Sequence, residues 1–191
     1  MPVSGLPTLF EHQLAPDTVL KPLEPWHAEE FAAQMDRARE HIRPWVGASF
    51  VTTGVEAARA TLSKYAQATA DDGARLVGIW LDGVLVGGVM FVAFDAQKRT
   101  AELGCWLEPG AQGQGLITRS CQYLLDWAFS TRGIHRIEWH CRASNARSAA
   151  TAQRLGMSLE GTLRDSWQLE SGFDDTQIWA LLATDPKPSK T

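Results

Sequence analysis

The stretch QGQGLIT, Gln112 to Thr118, lies between an apolar run typical of a strand, Leu103 to Leu107, and a helix-like run that ends at Ser130. A glycine-containing turn that leaves a strand and opens a helix presents unpaired backbone N–H groups and a partial charge of roughly +0.5. A diphosphate is a natural ligand for such a place. The stretch also fits an ordinary turn whose glycines supply positive φ. It matches neither the dinucleotide fingerprint nor the P-loop, because it has no third glycine and no Gly-Lys-Ser/Thr.

Length and composition limit the class of protein. The 191 residues are enough for one well-buried α/β domain and short for two. Hydrophobic residues make up 45% and charged residues 21%, as in an ordinary soluble globular protein. The net charge of −4 argues against nucleic acid as a main partner. Met1 to Leu9 lacks the features of a signal peptide, and no run approaches the length of a membrane span. We therefore expect a cytoplasmic protein with no membrane or nucleic-acid partner.

The cysteines and histidines predict neither a disulfide framework nor a metal site. Cys105, Cys121 and Cys141 are widely spaced and lie in apolar runs, which favours buried thiols. The five histidines form no H-x-x-x-H pattern, so no metal is expected.

Eight tryptophans are many for this length, and most are interpreted as packing residues. Trp26 and Trp45 flank the first helical region, and Trp167 lies in the last predicted hairpin. These three side chains are candidates for the walls of a substrate pocket.

Periodicity and turn residues predict one mixed α/β (α+β) domain over residues 17–183, after an arm at 1–16 and before a disordered tail at 184–191. Strands are predicted at 18–23, 75–81, 84–94, 100–107, 136–142, 162–169 and 176–182. Helices are predicted at 26–42, 54–70, 116–130 and 145–155. Asp82-Gly83 is a hairpin turn signal, and Gly87-Gly88 indicates a bulge or a close approach by another group.

This order, with the glycine turn after a three-strand meander, resembles the GNAT superfamily of acyl-CoA-dependent N-acetyltransferases. In its signature, Gln/Arg-x-x-Gly-x-Gly/Ala, the defined positions are Gln112, Gly115 and Ile117. Ile117 departs from the small residue of the general pattern, and the branch of ribosomal-protein alpha-amino acetyltransferases often has a bulky residue there. Further segments similar to that branch are Ala101-Glu102-Leu103-Gly104, Trp106-Leu107, Cys141-Arg142, Asn145-x-x-Ser148, Arg154-x-Gly156-Met157 and Leu159-Glu160-Gly161. The resemblance covers about residues 17 to 183.

The resemblance implies a mixed, mostly antiparallel sheet that splays near its middle and holds the pantetheine arm of acetyl-CoA in the gap. The arm would pair with the backbone of Cys105, Trp106 and Leu107, as an added strand does. Asn145 would cap the next helix, reach the cofactor, or do both. The diphosphate would lie on the N–H groups of Gln112, Gly113, Gln114, Gly115, Leu116, Ile117 and Thr118.

For catalysis, the resemblance implies that Glu102 is the general base, acting through a water; the alternative is an outward-facing strand glutamate. Backbone N–H groups near Trp106 and Leu107 would polarise the thioester carbonyl. Ser148 is the candidate proton donor to the leaving thiolate, or else a helix-surface serine. Many superfamily members use a tyrosine instead, but the predicted elements do not place Tyr65 or Tyr123 near this site.

The acceptor is expected to be a primary amine: a ribosomal-protein N-terminus or a small amine such as an antibiotic, an aminoacyl nucleotide or a polyamine. An α-amine, with a pKa of about 7.7–8.0, needs only light help from a base, whereas a lysine, with a pKa of about 10.4, needs more. Many relatives are dimers, so a homodimer is also implied as an option. Two other classes stay open: an acyl-CoA sensor without turnover, and an unrelated α/β binding domain whose glycine turn is only structural.

Overall fold

The computed structural model describes residues 11–47, 50–169 and 172–186. The strands are β1 His12–Ala15, β2 Thr18–Pro22, β3 Arg75–Leu81, β4 Val84–Asp95, β5 Thr100–Leu107, β6 Arg136–Arg142, β7 Ser158–Leu169 and β8 Gly172–Leu182. The helices are α1 Ala28–Ile42, α2 Val55–Ala70, α3 Leu116–Ser130 and α4 Ala146–Arg154, and short 3₁₀ turns lie at Pro25–His27 and Pro109–Ala111.

The described strands form one sheet in the order β1-β2-β3-β4-β5-β6-β8-β7. Neighbouring strands are antiparallel except β5 and β6, which pair in parallel over Thr100–Glu102 and Arg136–Glu138. The paired positions end there, while β5 continues to Leu107 and β6 to Arg142. This divergence confirms the predicted splay near the middle of the sheet.

Two apolar clusters hold the helices on opposite faces of the sheet. On one face, α1 and α2 pack through Phe31, Met35 and Leu62 against a cluster that includes Trp106. On the other face, the cluster of α3 and α4 includes Leu103. Because side chains alternate along a strand, Glu102, Gly104 and Trp106 share the face of α1 and α2, whereas Ala101, Leu103 and Cys105 point the other way.

The end of β5 is anchored by the Trp106 indole. A Cβ atom added to Gly88 would lie 2.1 Å from an indole carbon, so the ring occupies the space left by the glycine. The indole Nε1 donates a hydrogen bond to Gln34 Oε1 at 3.0 Å. The close approach predicted at Gly87-Gly88 is therefore confirmed, and it fixes the strand that borders the splay.

The predicted bounds were wrong for the edge strands β1 and β7 and for β8, the strand next to β7. His12–Ala15, assigned to a loosely structured arm, forms β1 and pairs with β2. The strand β7 begins at Ser158 rather than 162, and β8 begins at Gly172 rather than 176. The side chains of β7 are mostly exposed, so its sequence carries little of the alternation that identifies a half-buried strand. Residues 1–10 of the predicted arm and 187–191 of the predicted tail lie outside the described residues.

Candidate active site

The divergence of β5 and β6 opens a groove of about 2090 Å³ across the molecule. Both halves of the sheet, the glycine turn, the end of α1 and the start of α4 contribute to its walls. Of the predicted cofactor-binding residues, all except Gln114 line it: Cys105, Trp106, Leu107, Gln112, Gly113, Gly115, Leu116, Ile117, Thr118 and Asn145. The predicted catalytic residues Glu102 and Ser148 line the same groove.

The glycine turn has the geometry of an anion site. Gly113 and Gly115 have φ of 81° and 70°, a left-handed conformation that favours glycine. The N–H of Arg119 donates to the carbonyl of Gly115 at 3.1 Å, the first bond of α3. The N–H groups of residues 116–118 therefore precede the intrahelical hydrogen bonds and point out of the helix start, where a diphosphate is stabilised.

The side chain of Gln112 links the turn to two helices. Its Oε1 accepts a hydrogen bond from Arg147 Nη1 at 2.9 Å, and its Nε2 lies 2.6 Å from Nε2 of His41. His41 comes from the end of α1 and Arg147 from the first turn of α4. The sequence motif identified Gln112, but not these partners, because they are distant in the chain.

Asn145 and Ser148 form a small hydrogen-bonded unit at the start of α4. Asn145 Oδ1 accepts from the Ser148 N–H at 3.1 Å, which confirms the capping role. Trp139 Nε1 donates to Ser148 Oγ at 2.8 Å. Burial raises the pKa of the Cys141 thiol, and hydrogen bonds involving Ser148 and Trp179 act against that rise. Ser148 is half-buried and held by a ring N–H, unlike a serine on an open helix surface, and its hydroxyl also hydrogen-bonds with the Cys141 thiol.

Glu102 lies half-buried in the groove, on the side of α1 and α2. Its pKa is raised, first by burial and also by the charge of Glu138, while His140 opposes the rise. A carboxyl group with a raised pKa is a better match for proton abstraction near neutral pH.

Two of the three tryptophans predicted as walls of a substrate pocket line the groove. Trp45 and Trp167 both line it, as predicted. Trp45 is held by Arg142, whose guanidinium lies 5.0 Å from the ring centroid and donates to Asp174 at 2.9 Å. Trp26 was predicted wrongly: it is 70% exposed and is not part of the groove lining, because it lies in the 3₁₀ turn at the opposite end of α1.

Tyr65 also lines the groove, although its place in the sequence gave no direct indication. It follows Ala58 and Leu62 on the stripe of α2 that faces the sheet, and this spacing is the signal that could have located it. Its hydroxyl lies 3.5 Å from Met90 Sδ, and burial raises its pKa. Tyr123 is instead on α3, stacked on His12.

The thiols of the described residues are unsuited to act as nucleophiles. Burial raises the pKa of Cys105 to about 12, and Cys121 is raised well above its ordinary value by burial and by Cys105. A thiol rather than a thiolate therefore faces the groove at Cys105. No group of three or more His, Cys, Asp or Glu side chains within the described ranges could hold a metal ion. Among those same ranges, no helix is long and apolar enough to cross a membrane.

A splayed sheet, a glycine turn at a helix start and a half-buried carboxylate in one groove fit the class of coenzyme A-dependent acyltransferases. A family model described as "Acetyltransferase (GNAT) domain" matches residues 17–158. The chain therefore belongs to the GNAT acetyltransferase family and is an N-acetyltransferase by class.

Three known proteins are similar to this chain in sequence or in fold. "Putative ribosomal N-acetyltransferase YdaF" of Bacillus subtilis (strain 168) is 25% identical over 175 residues, which is 91% of this chain and 96% of the relative. The ribosomal-protein-serine acetyltransferase of Escherichia coli (strain K12) is 32% identical over 109 residues, 57% of this chain and 61% of the relative. The solved structure of RimL, a ribosomal L7/L12 alpha-N-protein acetyltransferase in complex with coenzyme A, has the same fold, with a TM-score of 0.84 at 21% identity. It covers 90% of this chain and 97% of that one.

Proposed function

We propose that the protein transfers the acetyl group of acetyl-CoA to a primary amine, by direct attack of the amine on the thioester in a ternary complex. The observation that carries this proposal is the position of Glu102. It is a half-buried carboxylate on β5, immediately before the segment whose edge faces the groove, and in the same cavity as the glycine turn.

Acetyl-CoA is the donor because the groove offers separate places for its parts. The diphosphate would bind the N–H groups at the start of α3, and the pantetheine arm would hydrogen-bond to the edge of β5 at residues 105–107. The volume of the groove, about 2090 Å³, leaves room for an acceptor as well as the donor, and Trp45 and Trp167 are among the side chains that line it.

Direct attack is favoured over an acyl-enzyme. The raised pKa of Cys105 leaves that thiol protonated near neutral pH, so it is a poor nucleophile. Glu102 would instead remove a proton from the attacking amine, and the Ser148 hydroxyl would donate to the departing thiolate. Binding both substrates in one groove adds the rate advantage of proximity.

We infer that the acceptor is the α-amine at a protein N-terminus. An α-amine is roughly one-tenth neutral at pH 7, so a carboxylate base of moderate strength is sufficient. Two relatives that bear the names of ribosomal-protein acetyltransferases support this inference. A small amine is the alternative acceptor of the same chemistry.

The test is a thiol-release assay with acetyl-CoA and a panel of acceptors. The panel contains peptides with free N-termini, the same peptides with blocked N-termini, and small amines such as spermidine. We expect release with the free peptides, and a loss of about 10²- to 10⁴-fold in kcat for Glu102→Gln. Glu56→Gln, at an exposed position of α2, is the matched control and should leave kcat unchanged.

The outcomes separate the competing functions. A Glu102→Gln loss below about tenfold would refute the assignment of the base. Tight acetyl-CoA binding with no thiol release across the panel would make the protein a sensor of acyl-CoA. Release with small amines but not with peptides would assign a small-molecule acceptor.

A further inference from the structure

His140 lies between two carboxylates where β5 and β6 separate. Its Nε2 is 2.7 Å from Glu138 Oε2, and its Nδ1 is 3.7 Å from Glu102 Oε1. The sequence of β6 explains this placement, since Arg136, Glu138 and His140 alternate with the buried Ile137 and Trp139. The histidine is therefore on the groove side, partly open to solvent.

The surrounding groups determine which nitrogen carries the proton. Arg136 donates from Nε to Glu138 Oε1 at 2.8 Å, and its other nitrogens bind Glu160 at 3.0 and 2.6 Å. Burial acts to raise the pKa of Glu138, but the hydrogen bonds from Arg136 and His140 outweigh burial and hold it below its ordinary value. Glu138 is therefore an ionised acceptor, so the imidazole, in its neutral form, carries its hydrogen on Nε2 and turns the Nδ1 lone pair towards Glu102.

We propose that His140 is a proton relay that removes the carboxyl proton from Glu102 after each acetyl transfer. This inference rests on the proposed function of the groove. The carboxyl proton of Glu102 moves to Nδ1, directly after a small rotation or through one water, because 3.7 Å is too long for a hydrogen bond. The imidazolium is stabilised by Glu138 through Nε2–H, and it then releases the Nδ1 proton to solvent. Glu102 returns to the carboxylate form that the next amine needs.

The other charged and titratable groups near this relay are few. Glu102 comes from β5, Arg136 and Glu138 from β6, and Glu160 from β7, while the residue paired with His140 on β8 is Ile178. Further along the groove are Glu40, His41 and Tyr65. Among the described residues, the imidazole nitrogens lie within ion-pair distance of two carboxylates, those of Glu102 and Glu138.

The decisive experiment is His140→Ala followed by addition of free imidazole to the acetyl-transfer assay. Because His140 is exposed, its removal should leave the thermal unfolding temperature almost unchanged. We expect kcat to fall about 10- to 100-fold. This loss does not exceed the lower end of the 10²- to 10⁴-fold effect of a direct general base. Imidazole should restore most of this loss, with a rescue that saturates and strengthens as the free-base fraction rises.

The matched control is His135→Ala, an exposed histidine next to β6 that does not line the groove. It should keep wild-type kcat and show no response to imidazole. A His140→Ala enzyme within about twofold of the wild type would overturn the relay, as would a loss that imidazole does not repair. Absence of thiol release by the wild-type protein would instead count against the proposed function itself.

Discussion

Two carboxylates, Glu102 and Glu138, occupy directly paired positions where β5 and β6 separate. Like charges at paired positions repel, so their two pKa values are driven apart. Arg136 decides the direction: it binds Glu138 and keeps the pKa of that carboxyl low, whereas burial and the charge of Glu138 raise the pKa of Glu102. Glu138 thus stays ionised, and Glu102 becomes the carboxyl group that exchanges protons.

This asymmetry predicts the pH dependence of the enzyme. A general base must be ionised, so kcat/KM should fall as pH drops through the raised pKa of Glu102. In Glu138→Gln, the negative neighbour is gone and the pKa of Glu102 decreases, so the acid limb should move to lower pH whatever the height of the plateau. A pH–rate profile of kcat/KM measures the position of the acid limb in the wild type and in Glu138→Gln, with Glu56→Gln as the reference variant. A limb that stays in place or moves to higher pH would contradict the coupling.

At the scale of elements, we expect the affinity for the cofactor to depend on the backbone conformation at the start of α3. Gly115 holds the left-handed conformation just before Leu116, and a Cβ added there meets nothing within 4 Å. The glycine is therefore required by its φ and by access to the N–H groups, and not by crowding from neighbouring side chains.

Gly115→Ala should raise the KM for acetyl-CoA by about tenfold or more, because alanine costs about 1–2 kcal/mol in this conformation and shifts the turn away from it. Gly133→Ala is the control: it has φ of 65° just past the other end of the same helix and does not line the groove. Steady-state kinetics and thermal unfolding should show similar losses of stability in both variants, but a changed KM in only the first. An equal KM for acetyl-CoA in the two variants would mean that the turn has a structural role and does not bind the cofactor.

The elements were predictable to the extent that their signals are local. The hairpin at Asp82-Gly83 and the strand and helix around the glycine turn follow from turn residues and periodicity, and their bounds agree within one residue. His12–Ala15 could not be predicted in this way, because a strand of 4 residues followed by Pro16 owes its existence to pairing with β2.

At the scale of the whole molecule, the site is assembled from parts that are distant in the chain. Glu102 and the turn became candidates because the family resemblance is carried by one continuous segment that contains both. Tyr65, His140 and Arg147 enter the same groove from α2, β6 and α4, and only the strand order brings them together. The prediction that Trp26 lines the pocket was wrong for the same reason. Its position before a helix was correct, but tertiary packing directs it away from the groove.

Because the groove is built from both halves of the sheet, acetyl-CoA should stabilise the fold as one unit. Binding to the folded state at 100 times Kd contributes about 2.7 kcal/mol. At about 2–4 °C per kcal/mol for a chain of this size, we expect an increase of roughly 5–10 °C in the unfolding temperature, with a single transition. With a Kd about tenfold weaker, Gly115→Ala should lose about half of this increase at the same acetyl-CoA concentration, and Gly133→Ala should keep it. Pantetheine, which has no diphosphate for the start of α3, should give a much smaller increase. Millimolar acetyl-CoA that leaves the wild-type temperature unchanged would contradict the assignment of the groove to this donor.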